Sequence, residues 1–428
     1  MTDVQARNNF DILIAGGGLA GTALACALGQ AASHWRIGLI DPAPPEDLTL
    51  AAGSDLASVD LRVSALTKAS QSFLDTLGVW PLIAAQHPSA YQAMSVWDAE
   101  GTGAIEFQAA DLFESDLGHI VENRLTLAAL ATRLQQLPVE RIRGRVLSAQ
   151  RADDEMVLQL DQERQLRARL LVAADGAESP LRRQMGIPTR EWDYQQQALV
   201  ATVQTSASHQ ATAWQRFLPS GPLAFLPLRP SDSDQISSIV WSTAPEQAQQ
   251  LLSLSDEAFC EALGQAFEFR LGPVTAVSRR VAFPLRQRHA KEYVQPGLAL
   301  VADAAHTIHP LAGQGINLGF LDVAVLADEL LRAVERGCDY ADYSLLRRYQ
   351  RRRMGHNLGT MALMEAFKRL FGADPLPLRW LRNQGMRWLN EQSLLKNQIV
   401  AAALGRDQLP RRWQLDSLQP EVLIGRVS

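Results

Sequence analysis

The chain has 428 residues, is 47% hydrophobic and 20% charged, and carries a formal net charge of −5. This implies two or three folding units, or one large fold with insertions, and excludes a disordered or fibrous chain. The negative balance argues against a general nucleic-acid binder. Cys26, Cys260 and Cys338 stand far apart in sequence. That spacing excludes a disulfide framework or a CxxC metal or redox site, and reduced cysteines fit a cytoplasmic compartment. There is no run of 18 apolar residues, so no helical membrane span is expected. The start, MTDVQARNN, has no signal-peptide core, so the fold is expected to begin almost at once.

In chain order, Phe10–Ala15 reads as a strand, a glycine cluster as a tight turn, and Leu19–Gly29 as a helix. Arg36–Ile40 follows as a second strand ending at Asp41, before the breaker Pro42–Pro45. This is one βαβ unit. Helices are expected at Leu66–Leu77 and Leu125–Leu137, with strands near 145–149, 157–160 and 165–174. Four short β-rich runs between Val200 and Ser242 predict an antiparallel sheet. Helix Ser255–Phe269 has Ser255 as its cap, and Val274–Leu285 and Leu298–Ala302 read as strands. Gly315–Val334 has helical periodicity, and the chain is expected to be all-helical from Asp342.

Three motifs carry chemistry. Gly16-Gly17-Gly18-Leu19-Ala20-Gly21 contains GxGxxG between a strand and a helix, and Asp41 lies 20 residues past Gly21. Gly16 permits the turn, Gly18 a close approach to pyrophosphate, and Gly21 helix–strand packing; the acid would accept from a ribose hydroxyl. This predicts a dinucleotide without separating FAD from NAD. The second motif, Asp175–Arg182, puts an acid and a glycine at the end of a buried strand. The third, Ala302–Gly319, ends a strand in Asp303, loops through Pro310, and opens a long helix with Gly313, Gly315 and Asn317. A helix N-terminus there favours negative charge.

In this order and spacing the motifs resemble the class A FAD-dependent aromatic monooxygenases over nearly the whole chain. The stretches Asp60–Leu66, Arg216–Leu228 and Thr307–Gly319 are similar to the ubiquinone-biosynthesis hydroxylases. The resemblance implies an α/β fold: a Rossmann-like FAD-binding domain with an inserted antiparallel substrate sheet and a helical C-terminal region. The expected boundaries are 1–70, 111–188 and 286–345 for the FAD domain, 71–110 and 189–285 for the substrate domain, and 346–428 for the basic helical region.

It further implies that Gly16, Gly18, Leu19, Ala20 and Gly21 hold the FAD pyrophosphate and Asp41 the ribose. Arg62 and Arg124 match basic FAD contacts, Val146 an adenine-lining strand, and Asp303 a ribityl or pyrophosphate contact. Pro310 would lie against the isoalloxazine, with Gly315, Ile316, Asn317 and Leu318 at its pyrimidine edge and Gly313 among the cofactor-binding residues. Asp175 and Arg182 match a motif linked to both FAD and NAD(P)H. The family usually has Gly-Asp where this chain has Ala302-Asp303.

The reaction implied is hydroxylation of a polyprenyl phenol ring, with 2-polyprenyl-6-methoxyphenol the first expectation. FAD is non-covalent, NAD(P)H a transient reductant and O₂ the cosubstrate, with no metal. The alternatives are another ring position, another aromatic substrate, or a non-catalytic FAD-bound scaffold subunit. His309 and Pro310 are the candidate catalytic residues, and His306 reads as structural. Phe217, Leu223, Phe225 and Trp241 are candidates for the pocket wall.

Residues 347–412 carry 14 Lys and Arg against 4 Asp and Glu, leaving 27 against 42 elsewhere. Three readings stand for this basic lobe: peripheral contact with the inner membrane face, docking on the chain's own acidic body, or contact with another subunit or other ubiquinone-biosynthesis proteins. In the first, Arg379, Arg382 and Arg387 beside Trp380 and Trp388 would meet the surface.

Overall fold

The computed structural model describes residues 8–32, 34–43, 48–99, 101, 103–161, 163–308, 315–371 and parts of 384–415. In chain order the elements begin with β1 (Asn9–Ala15), α1 (Leu19–Ala31) and β2 (Ile37–Asp41). Next come β3 (Val63–Leu66), α2 (Lys68–Thr76), α3 (Trp80–Ala84), β4 (Ser89–Tyr91), β5 (Ala93–Asp98), β6 (Ala104–Gln108) and β7 (Gly118–Glu122). α4 (Asn123–Leu134) leads into β8 (Val139–Arg143), β9 (Val146–Ala152), β10 (Glu155–Leu160), β11 (Gln165–Ala173) and α5 (Pro180–Gln184). The second large sheet is built from β12 (Thr189–Thr205), β13 (Thr212–Leu218), β14 (Gly221–Leu228) and β15 (Ile236–Thr243). After α6 (Pro245–Ser253) and α7 (Asp256–Ala266) follow β16 (Val274–Val277), β17 (Val281–Ala290), β18 (Val294–Gln295), β19 (Leu298–Leu300) and β20 (His306–Thr307). The long helices α8 (Gly315–Glu335) and α9 (Tyr343–Phe371) come next.

The first sheet runs β18-β19-β11-β1-β2-β8. β1 pairs in parallel with both β11 and β2, and β11 pairs in parallel with β19. Strands buried on both faces must be apolar throughout, and Ile12, Leu13, Ile14, Leu170, Leu171 and Val172 are fully buried. In a parallel sheet the strands end together, so the tips of β2, β1, β11 and β19 share one edge.

The second sheet runs β20-β17-β12-β15-β14-β13-β5-β6. It is antiparallel except where β13 and β5 pair in parallel, Thr212 opposite Ala93. One face is closed by α6 and α7: Leu199, Ala201, Val203, Leu223, Phe225, Ile239 and Trp241 pack with Leu251, Phe259 and Leu263. Leu223, Phe225 and Trp241, expected on the pocket wall, therefore belong to this core, and the Phe225 ring stacks on Phe267. Side chains alternate between faces along a strand. Phe217 points to the other face, where it packs with Ile105.

α8 and α9 are joined by charge. Asp322 on α8 is fully buried; its Oδ1 accepts from Arg353 Nε at 2.7 Å and Asn357 Nδ2 at 3.1 Å. Arg352 donates to Asp328 and Glu329, and Arg348 pairs with Glu329. Three of the five arginines at 347–353 thus turn onto acids of the same chain. Arg347 and Arg351 remain exposed. Arg379, Arg382, Arg387 and Trp380 lie outside the described residues.

Removing one partner of a buried ion pair strands the other charge, at about 3–5 kcal/mol. Arg353→Ala is expected to destabilise the protein by that amount in denaturant unfolding. Burial alone would raise the Asp322 carboxyl, but His306 and Arg353 outweigh it and hold the pKa well below the ordinary value. A depressed folded pKa gives stability that is present above the unfolded value of about 3.9 and lost as pH falls through the folded value. Acid unfolding of the parent should show this loss, and Arg353→Ala should show less of it.

Candidate active site

The glycine turn has the shape of a ligand cradle. A Cβ at Gly16, whose φ is +110°, would lie 2.3 Å from Ala174 O, and one at Gly21 would lie 1.9 Å from Gly16 O. Both positions are closed to any side chain. At Gly18 nothing lies within 4 Å of that direction, so the backbone is open to an approaching group. Leu19 and Ala20 start α1, whose first N–H groups face the turn.

The acids sit along the same sheet edge. Asp41 at the tip of β2 accepts from Gly17 N–H at 2.6 Å and Ala43 N–H at 2.8 Å. Gly144 N–H donates to Asp41 O, which brings the start of β9 at Val146 beside it. Asp175 at the tip of β11 accepts from Leu181 N–H through Oδ2, while its Oδ1 is buried without a partner. Burial pushes this carboxyl up, with Ser179, Leu181 N–H and Arg182 opposing.

Asp303 follows β19. Its side chain is exposed, with protein packed closely enough around it for desolvation to act on the carboxyl. Burial raises its carboxyl, with His306 and then Arg62 pulling the other way. The Arg62 charge is near enough to act on Asp303, and its guanidinium lies 5.1 Å over the Phe283 ring of β17. Arg124 sits beside it, donating to Glu122 at 3.3 Å.

Two expected contacts have their side chains engaged within the protein. Asn317 Oδ1 accepts from Ser70 Oγ at 2.7 Å and Thr67 N–H at 3.1 Å, and its Nδ2 donates to Ala65 O at 2.8 Å. Asn317 therefore fastens α8 to β3 and α2, leaving backbone N–H groups at Gly315–Leu318 for a ligand. The Arg182 guanidinium is buried and donates to Ala304 O at 2.8 Å and Ala177 O at 2.9 Å. It braces the Asp303 turn from behind. His309, Pro310 and Gly313 lie outside the described residues.

The turn itself depends on Asp322, which the sequence motifs do not single out. Its Oδ2 accepts from Ala302 N–H at 3.1 Å and pairs with His306 Nε2 at 2.5 Å. Ala302 has φ +52°, a left-handed conformation that favours glycine. Its Cβ would lie 2.9 Å from a Cβ at Gly319, so α8 packs against the turn with a glycine there.

Open backbone at Gly18, the unpartnered Asp175 oxygen and the accessible Asp303 fit a dinucleotide laid along this edge. The sequence pattern described as "FAD binding domain" matches residues 9–362. The chain belongs to this FAD-binding family. The 3-demethoxyubiquinol 3-hydroxylase of Escherichia coli (strain K12) is 40% identical, over 92% of this chain and 98% of that protein. The human mitochondrial ubiquinone biosynthesis monooxygenase COQ6 is 36% identical, over 92% of each. The ubiquinone hydroxylase UbiL of Rhodospirillum rubrum is 38% identical, over 92% of this chain and 89% of that protein. Among solved structures, p-nitrophenol 4-monooxygenase PnpA of Pseudomonas putida DLL-E4 superposes with a TM-score of 0.73, over 92% of this chain and 98% of that one. At 19% identity it shows the shared fold. This member of the family is an FAD-dependent monooxygenase of the ubiquinone-biosynthesis hydroxylase group, a class that uses NAD(P)H and O₂.

Ala302→Gly should stabilise the protein by about 1 kcal/mol, because a left-handed alanine costs roughly 1–2 kcal/mol and glycine returns part of this in entropy. A melting curve with FAD bound checks it. Asp303→Ala should lose FAD more readily than Asp175→Ala on gel filtration, since a lost bond to a buried polar partner costs about 1–3 kcal/mol, or roughly ten- to hundredfold in affinity. Arg182→Ala should also lose FAD, because two carbonyls of the turn and its neighbour lose their donor. Retained FAD with only a raised KM for NAD(P)H would instead assign Arg182 to the reductant.

Proposed function

We propose that this chain hydroxylates the ring of a polyprenylated phenol or hydroquinol in ubiquinone synthesis. The observation that carries the reading is the convergence of Gly16–Gly21, Asp41, Asp175 and Asp303 on one sheet edge, with Arg62 linking that edge to Phe283 of the second sheet. Bound non-covalently, FAD would accept hydride from NAD(P)H and activate O₂. The chain's own residues bind, orient and exclude water. Gly16, Gly18 and Gly21 give the pyrophosphate a close backbone approach, and Asp41 offers an acceptor to the ribose. The α8 N-terminus presents N–H groups, and Arg62 sets a positive charge near Asp303. Such preorganised donors favour developing negative charge.

The E. coli relative's name supports a demethoxyubiquinol-type ring, while the motif resemblance supports 2-polyprenyl-6-methoxyphenol. Both rings are electron-rich and prenylated. On this reading the protein works in the cytoplasm, with access to the inner membrane face or to other ubiquinone-biosynthesis proteins, because a polyprenylated substrate resides in a bilayer.

The purified yellow protein, given NADPH, O₂ and each ring in turn, should yield a product one oxygen heavier from one of them by mass spectrometry. NADPH oxidation without product from either ring would direct the search to another aromatic substrate. No NADPH oxidation at all would favour the non-catalytic scaffold. Acid precipitation should release the flavin into the supernatant; a coloured pellet would contradict non-covalent binding.

A further inference from the structure

The face of the second sheet opposite α6 and α7 carries a row of side chains, of which only Val96 at the far end packs into a core cluster, that of Ile105 and Phe217. Residues opposite one another across the strands are Val281, Val200, Val240, Ala224, Gln215 and Val96. They span β17, β12, β15, β14, β13 and β5, so the row is about 24 Å long at roughly 4.8 Å per strand. Their neighbours along the strands, such as Leu199, Ile239 and Phe225, are sealed under the helices. In the row, Val281, Val200, Val240, Gln215 and Val96 are only half-buried. An aliphatic strip with one amide, left partly open, has the composition of a site for an apolar chain.

The row has two distinct ends. At the β17 end, the next residue on the same face is Phe283, two positions from Val281, beneath the Arg62 guanidinium, whose charge acts on Asp303. At the other end Val96 pairs with Ile105 of β6. There the β6 edge meets the C-terminal segment: Glu106 N–H donates to Asn390 Oδ1 at 3.1 Å. Phe113, just past β6, is fully exposed, and Trp388 is 56% exposed.

We propose that this row is the floor for the isoprenoid tail of the substrate, with the ring at the β17 end and the tail leaving at the β6 edge beside the C-terminal segment. The assignment rests on the prenylated-substrate reading and adds to it a direction and a set of residues. Valines and an alanine give a smooth floor that a methyl-branched chain can contact along its length. Gln215, far from the flavin end, imposes no hydrogen bond on the ring.

The test uses the full-length FAD-loaded protein, the same phenol ring carrying either one isoprene unit or a long tail, and the variants Val240→Phe and Val96→Phe. Val96→Phe should raise KM for the long-tail substrate by about tenfold and leave the one-unit substrate unchanged. Val240→Phe, nearer the flavin end, should impair the long-tail substrate more. Equal losses on both substrates with Val96→Phe, or no loss on either, would overturn the proposal. FAD content and a cooperative melt control for folding; if Val240→Phe fails them, Val96→Phe alone decides. Should the parent hydroxylate neither ring, the functional reading fails, and calorimetry with a plain polyprenyl alcohol still decides the row. Binding by the parent that weakens about tenfold in Val96→Phe supports it; no binding, or equal binding, refutes it.

Discussion

Asp322 is a carboxylate with no access to water, held ionised by Arg353 and His306. One oxygen holds the turn that presents Asp303, through Ala302 N–H and His306; the other holds α9, through Arg353 and Asn357. A buried charge of this kind tolerates no loose partner, since each lost contact leaves a desolvated ion. The turn, α8 and α9 therefore occupy one arrangement. The network reaches further: Asn357 donates to Tyr293 Oη, which contacts His289 Nε2 at 3.0 Å. Burial, with His306 adding to it, lowers His289 to about 4, so it stays neutral at ordinary pH and adds no further cation to the cluster.

This anchoring explains why an alanine is tolerated at a left-handed position. The strain at Ala302 is local and of order 1–2 kcal/mol. The bond from its N–H to an ionised acceptor lies at the stronger end of the hydrogen-bond range. The close approach to Gly319 then requires a glycine on the helix side. The departure from Gly-Asp is absorbed by the contacts around it.

What was legible in the sequence follows from where the signal lies. The first βαβ unit was readable because the glycines, the apolar runs and Asp41 are all local; β1, α1 and β2 differ from the expected bounds by one or two residues. The same holds for β14, β15, the Ser255 cap, which accepts from Ala258 N–H, and α8. The short strands β4 to β7 were missed because each has only three to six residues, too few for an alternation to stand out, and in β5 and β7 the alternation breaks. Val274–Leu285 was read as one strand, but Ser278–Arg280 breaks it, and Ser278 instead binds Thr202. α6 was missed because polar glutamines outnumber its buried residues, Ala248 and Leu251. Asp322 was illegible in principle: an acid on a helix looks solvated until the fold brings Arg353 to it. Asn317 and Arg182 were found by motif, but only tertiary structure shows their side chains bonded to the protein itself.

The basic lobe now has a different meaning from its net charge. Arg348, Arg352 and Arg353 neutralise Glu329, Asp328 and Asp322, and Arg412 pairs with Glu335. Much of the local excess is thus internal bonding, with the acidic body supplying the counterions. Trp413 adds apolar attachment: it is buried against Phe73, and its Nε1 donates to Ala324 O. The lobe is fastened to α8 by α9, and it touches the β6 edge at Asn390. A membrane or partner that meets its remaining exposed cations, Arg347, Arg351 and Arg411 among the described residues, would do so without breaking these pairs. Any such contact and retention of FAD would then be separable: the first would draw on outward-facing charge, the second on charge turned inward.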